Sequence, residues 1–125
     1  MAHELILIVE DNEKNRKLIR DLLQVKGYQT IESETAEEGL RLAEEKSPAL
    51  ILMDIQLAGM DGITAMKQLK ATPSTKAIPI IAITASAMTH NRETMLAEGF
   101  DGYQTKPLNL NEFLSDIERL IASGG

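Results

Sequence analysis

The sequence predicts an α/β domain built on one five-stranded parallel sheet with helices on both faces. Three observations carry this reading. Apolar runs at 5–9, 50–53 and 78–83 are too continuous for strands with one wet face, and suit strands buried on both. Segments of helical periodicity alternate with strand-like segments along the chain, which is the pattern of parallel sheets. No linker or low-complexity tract interrupts the alternation, and 125 residues fit one domain with one core. The expectation is a single domain over residues 1–125.

Residues 5–9, Leu-Ile-Leu-Ile-Val, form the first strand, and Glu10 and Asp11 follow at once. Asn12 is placed to cap a helix carrying Leu18, Ile19, Leu22 and Leu23 on one stripe, with Gly27 as its closing residue. Residues 28–32 alternate in polarity and read as a weaker strand at an edge. Thr35 and Glu38 have the capping-box spacing, which predicts a second helix over 36–46, stopped by Pro48. The run Leu50-Ile51-Leu52-Met53 leads straight into Asp54. After a turn-rich loop, Asp61 reads as an N-cap. Ile63, Met66 and Leu69 mark a third helical stripe, ended by Thr72-Pro73. Residues 78–83 are the fourth strand, with Pro79 near its start and Thr84 at its end. Residues 88–98 are weakly amphipathic through Met88, Met95 and Leu96, and stop at Gly99. Residues 101–105 are a short last strand, left through Lys106-Pro107. Asn109 and Glu112 again have capping-box spacing, ahead of the clearest amphipathic helix, with Phe113, Leu114, Ile117, Leu120 and Ile121.

Five strand–helix units with right-handed crossovers suit the flavodoxin-like strand order 2-1-3-4-5, whose switch point lies between strands 1 and 3. The three apolar runs are then the central strands. In this order Glu10-Asp11 and Asp54, over forty positions apart in sequence, end adjacent strands ~4.8 Å apart. Thr84 and Lys106 reach the same carboxyl edge, where open α/β sheets bind ligands. Three close carboxylates repel one another and a single Lys only partly compensates. A hard divalent cation such as Mg²⁺ resolves the crowding, because it takes oxygen ligands and sits between carboxylates and phosphate. An incoming phosphoryl group would meet the cation on one side, Lys106 on another and the Thr84 hydroxyl on a third. Asp54 is then the oxygen nucleophile of an aspartyl phosphate, chemistry that depends on positioning and charge neutralisation.

Composition excludes several alternatives. A net charge of −6 argues against direct nucleic-acid binding. Without cysteine there is no disulfide or thiolate metal site, and two histidines make a histidine metal centre a poor fit. No apolar run approaches the ~20 residues of a membrane helix, and the N-terminus lacks a basic region before its first strand. The expected location is the cytoplasm. No G-x-x-x-x-G-K-[ST] loop is present, which argues against an NTPase. A flavin carrier of the same fold class needs a glycine- and hydroxyl-rich phosphate loop where this chain has Glu10-Asp11-Asn12-Glu13. The enzyme-class alternative is a Mg²⁺-dependent phosphohydrolase with an aspartyl-phosphate intermediate. It lacks support here: Ile55 and Gln56 follow Asp54 with no second acid, and no cap insertion exists.

Taken together, Glu10-Asp11, Met53-Asp54, Asp61-Gly62, Thr84-Ala85 and Lys106-Pro107 resemble, in order and spacing, a response-regulator receiver domain over nearly the whole chain. Within that family Glu10-Asp11-Asn12 and Ala85-Ser86-Ala87-Met88 are similar to single-domain cell-division regulators of the DivK-like type. The resemblance implies that Asp54 takes a phosphoryl group from a phosphohistidine on a histidine kinase or histidine phosphotransfer protein. It implies Mg²⁺ bound by Asp11, Asp54 and the Gln56 backbone carbonyl, with Glu10 acting through water. It implies Thr84 and Tyr103 as a switch pair that alters the surface of helix 4, strand 5 and helix 5 for a downstream protein target, and a cis Lys106–Pro107 bond. It implies no catalytic turnover of a separate substrate, no DNA-binding output domain, and a monomer or weak dimer. Two departures stand out: Ala58 replaces a frequent Pro, which loosens the loop without losing a ligand, and Glu10 replaces the commoner Asp.

Singly, these residues have plainer readings. Asp54 alone reads as a turn residue, Glu10-Asp11 as helix-dipole partners, Thr84 as a strand end, Lys106 as a surface charge, Tyr103 as a strand aromatic, and the methionines as adaptable packing. Their joint placement is what argues for a site.

Overall fold

The computed structural model describes residues 4–57 and 59–124. Strands and helices alternate: β1 (Leu5–Val9), α1 (Glu13–Val25), β2 (Gln29–Ser33), α2 (Ala36–Lys46), β3 (Leu50–Asp54), α3 (Gly62–Ala71), β4 (Ile80–Thr84), α4 (Arg92–Glu98), β5 (Gly102–Thr105) and α5 (Leu110–Gly124). The strands form one parallel sheet in the order β2-β1-β3-β4-β5. The expected architecture is therefore the observed one, and the apolar strands β1, β3 and β4 are central.

The period of two along each strand splits the core into two layers. Leu7, Val9, Ile51, Met53, Ile80 and Ala82 face one side, where they pack with Ala43 of α2, Met66 and Leu69 of α3, and Met95 of α4. Ile6, Ile8, Leu50, Leu52, Ile81 and Ile83 face the other, against Ile19 and Leu23 of α1 and Phe113 and Ile117 of α5. Every residue of β3 and β4 is buried, which is why those runs are continuously apolar. Edge strand β2 has only Ser33 buried and tolerates polar alternation.

Five helices start with a side chain accepting a backbone N–H three residues on: Asn12 from Asn15, Thr35 from Glu38, Asp61 from Thr64, Asn91 from Thr94 and Asn109 from Glu112. Each such cap is worth about 1 kcal/mol. Gly27, at φ 92°, closes α1 in the left-handed region that favours glycine.

Some boundaries differ from the sequence reading. Strand β2 begins at Gln29, because the Tyr28 N–H donates back to Leu23 and finishes the turn of α1. Strand β4 begins at Ile80, since the Ile78 N–H is used by the turn at Thr75. Strand β5 begins at Gly102, one residue after the expected start at 101. Helix α4 spans Arg92–Glu98 rather than 88–98, because Asn91 is its cap and residues 86–90 form a loop closed by His90 N–H on the Ser86 carbonyl. Met88 is 97% exposed, and of the three apolar residues assigned to that segment only Met95 is buried. Leu18 also departs: it is 56% exposed while Ile19 and Leu23 carry the buried stripe of α1. The loop-loosening role assigned to Ala58 lies outside the described residues.

Candidate functional site

Parallel register brings the site together. Ile8 pairs with Leu52 and Val9 with Met53, so Glu10 and Asp54 are the next residues along neighbouring strands. The Glu10 N–H donates to Ser33 of β2, which holds Glu10 at the sheet edge. Glu10 is 2% and Asp54 3% exposed, whereas Asp11 is open to solvent. One carboxylate oxygen from each of the three lies within 4.8 Å of the others. On the far side, the Lys106 N–H donates to the Thr84 carbonyl at 2.8 Å, aligning the exits of β4 and β5. Lys106 Nζ reaches back to Glu10 Oε1 at 2.9 Å and Asp54 Oδ2 at 3.2 Å. The Lys106–Pro107 bond is cis.

The loops after β3 and β4 complete the rim. Asp54 Oδ1 accepts the Gln56 N–H at 2.9 Å, which fixes the carboxylate orientation. Gln56 Oε1 accepts the Ala85 N–H at 3.2 Å and ties the two loops together. Thr84 is fully buried, and its Oγ1 accepts the Ser86 N–H at 3.0 Å, leaving the hydroxyl proton for another acceptor. Tyr103 is not part of this cluster. Its ring is buried in the layer beneath α4, its hydroxyl donates to the His90 carbonyl at 2.5 Å, and the Arg92 guanidinium carbon lies 5.3 Å from the ring centre. Glu10, Asp11, Asp54 and Lys106 thus converge, Thr84 and Gln56 border them, and Tyr103 lies apart, against His90 and Arg92.

Burial raises the Glu10 carboxyl above its ordinary value, and the nearby Asp54 adds to the rise. The Lys106 contact and the Asn12 N–H oppose it without cancelling it. For Lys106, burial alone would depress the ammonium, but Glu10 and Asp54 outweigh it and lift its pKa above the usual lysine value. A carboxyl raised by folding contributes stability below its unfolded pKa, and that contribution is lost as pH rises through the folded value. Glu10→Gln should therefore stabilise the metal-free protein at neutral pH. The advantage over wild type should shrink as pH falls towards the ordinary carboxylate range. Melting in chelator across that range checks it; an advantage that grows on acidification contradicts the assigned direction.

The donor set fits a hard divalent cation. It consists of carboxylate oxygens on adjacent strand ends, with negative charge that one ammonium does not neutralise. Glu10 Oε1 has the Lys106 ion pair and no hydrogen bond of good geometry, so it retains acceptor capacity.

Comparison with known proteins gives this geometry a family. Residues 6–118 match the model of the response regulator receiver domain. The chain belongs to the response regulator receiver domain family. The receiver is 43% identical over 116 residues to the polar-differentiation response regulator DivK of Brucella ovis, covering 93% of this chain and 94% of that one. DivK of Brucella anthropi shows the same identity and coverage. Among solved structures, the receiver domain of a sensor histidine kinase from Pseudomonas aeruginosa PAO1 superposes with a TM-score of 0.89 at 34% identity, over 97% of this chain and 99% of that one. A magnesium ion is coordinated in that domain's active-site cleft. The receiver domain of a signal transduction histidine kinase from Syntrophus aciditrophicus gives 0.87 at 30% identity, over 96% and 91%. This receiver is therefore a DivK-like phosphoacceptor module of two-component signalling rather than an enzyme with a separate substrate. Among its described residues, no helix is long and apolar enough to cross a membrane.

Two contacts in the receiver escaped the sequence reading. The Gln56 side chain, expected to matter only through its backbone, bridges to Ala85. Arg16 donates to the Glu10 carbonyl from α1. Nothing in the sequence pattern singles out Arg16 from the other basic residues of α1.

Proposed function

We propose that Asp54 accepts the phosphoryl group, from a phosphohistidine on a histidine kinase or histidine phosphotransfer protein. The main support is Lys106 Nζ held between Glu10 and Asp54 beside Asp11: a cation poised next to a buried, oriented carboxylate. An Asp54 oxygen bonds to phosphorus as the P–N bond breaks, and the electron pair stays on the imidazole nitrogen, giving a mixed anhydride on Asp54. The Gln56 N–H holds one Asp54 oxygen fixed during attack. Lys106 turns from the carboxylates to the incoming phosphoryl oxygens, and the Thr84 hydroxyl donates to another. Asp11, Asp54 and the Gln56 carbonyl would hold Mg²⁺, with Glu10 reached through water. Bound there, the ion supplies positive charge that offsets the carboxylates and the phosphoryl oxygens.

On the same reading Thr84 and Tyr103 form the switch. Thr84 drawn to the phosphoryl group goes with the inward Tyr103 ring and its bond to His90, and so sets the surface of α4, β5 and α5 for a downstream protein. The protein acts in the cytoplasm as a monomer or weak dimer over its single domain, and signals by contact. Leu18 and Leu110 stand exposed on either side of a groove that continues past Leu108 and Pro107 to Lys106. They give a protein donor an apolar footing next to Asp54. Leu18→Ala should slow transfer from the protein donor about fivefold to tenfold, the effect of losing one interface anchor, and leave the rate with acetyl phosphate unchanged. Equal slowing with both donors would remove Leu18 from docking.

NMR tests the proposal as a whole. Mg²⁺ should shift amides at 10–12 and 54–57. Beryllofluoride, an acyl-phosphate mimic, should then extend the shifts to Thr84, Ala85, Tyr103 and Lys106. Beryllofluoride that leaves the Asp54 loop unmoved with Mg²⁺ present would overturn it.

A further inference from the structure

We infer that Arg16 is a positioning residue for the acidic pocket: by holding the Glu10 carbonyl it sets the backbone from which Glu10 and Asp11 project. The inference rests on the Mg²⁺ reading above. Strand β1 ends at Val9, so Glu10 lies one residue beyond the ladder. Its N–H is taken by Ser33 at 3.0 Å, and its carbonyl accepts Arg16 Nη1 at 2.9 Å. Both backbone groups of Glu10 are therefore held, one by the sheet and one by α1.

The arginine is itself anchored. Its side chain is 13% exposed, and its Nε donates to Glu32 Oε1 at 3.2 Å, while Glu34 lies 3.8 Å away. Arg20 Nη1 holds the other oxygen of Glu32 at 2.8 Å. The guanidinium thus works as a strut between the β2 edge and Glu10. Its planar fork engages two acceptors at once, which a lysine ammonium at the end of a flexible stem does not reproduce.

Asp11 is the residue that needs this strut. The Glu10 carbonyl and the Asp11 N–H share one peptide plane, so fixing the first fixes the second. Among the described residues the Asp11 carboxylate has no hydrogen bond or ion pair of its own, and its position follows from its backbone. Glu10 Oε2 accepts the Asn12 N–H at 3.1 Å, from the next peptide along, so the Glu10 carboxylate is tied to the same short stretch of backbone.

Four proteins test the inference: wild type, Arg16→Ala, Arg16→Lys and Arg20→Ala. Arg20 pairs with the same Glu32 without touching Glu10, so its removal reports the ion-pair network alone. Amide spectra and hydrogen exchange are recorded without metal, then Mg²⁺ is titrated. Arg16→Ala and Arg16→Lys should shift the Asp11 and Asn12 amides without metal and weaken Mg²⁺ binding about tenfold, the usual cost of losing a support behind a ligand. Arg20→Ala should leave both within twofold of wild type. Arg16 variants that bind as wild type does, or an Arg20→Ala loss equal to that of Arg16→Ala, would overturn the strut. Should Arg16→Ala not fold, Arg16→Lys decides. Failure of wild type to bind Mg²⁺ would count against the metal reading, and unchanged metal-free Asp11 and Asn12 amides would independently count against Arg16.

Discussion

Asp54→Asn should abolish phosphoryl acceptance and leave the metal-free protein more stable than wild type. The amide keeps the shape of the side chain, and its one oxygen can still accept from the Gln56 N–H, while its NH2 takes the place of the oxygen that faced Lys106 and gives up that contact. It loses the negative charge. With the three carboxylates within 4.8 Å, each pair repels by roughly 3–4 kcal/mol at an effective dielectric near 20. The Lys106 contact at 3.2 Å opposes this with about 5 kcal/mol on the same scale. Two repulsions and one attraction leave a relief on the order of 1–2 kcal/mol, or several degrees of melting temperature for a domain of this size. Millimolar Mg²⁺ should reverse the ranking, because the wild-type pocket gains from binding and the variant gains less. Thermal melts in chelator and in Mg²⁺ check the stability claim. A variant that melts below wild type in chelator would show that Asp54 is not under charge strain.

Gly62→Ala should damage the fold and the chemistry together. Gly62 opens α3, and its N–H donates to the Ile55 carbonyl at 3.2 Å. A Cβ built there would lie 2.4 Å from the Asp54 carbonyl oxygen and 2.9 Å from Ile55 Cα. Both are backbone atoms at the site, so the strand end or the helix start has to move. Overpacking of this kind costs about 3 kcal/mol at its upper end, roughly 10 °C in melting temperature. Displacing Asp54 by even about 1 Å from its productive position costs on the order of a hundredfold in rate. Melting and phosphorylation rate with acetyl phosphate, measured on the same sample, should both fall. A variant with wild-type values in both would mean that the contact relaxes without cost.

The fold was legible because its signals were strong and local. Fully buried strands leave continuous apolar runs, and caps such as Thr35 and Asp61 leave short-range spacings that structure then uses. The convergence of Glu10, Asp11, Asp54 and Lys106 was legible for a different reason: strand order alone determines which strand ends meet. Segment 88–98 was misjudged because Met88 looks like a core residue and is a solvent-facing loop residue. Leu18 was misjudged in the same way, since a helical stripe does not say where the covered face ends. The Gln56–Ala85 and Arg16–Glu10 contacts join a side chain to a backbone group on another segment, and neither leaves a periodicity.

The central claim is that one side chain, Asp54, carries the phosphoryl group, and borohydride trapping tests it most directly. The protein is phosphorylated with acetyl phosphate and Mg²⁺, reduced with borohydride, digested and sequenced by mass spectrometry. An acyl phosphate on an aspartate is reduced to homoserine, so residue 54 should read as homoserine in wild type and as unmodified Asn in Asp54→Asn. Homoserine at any other position, or a phosphoryl adduct that persists in Asp54→Asn, would contradict the account.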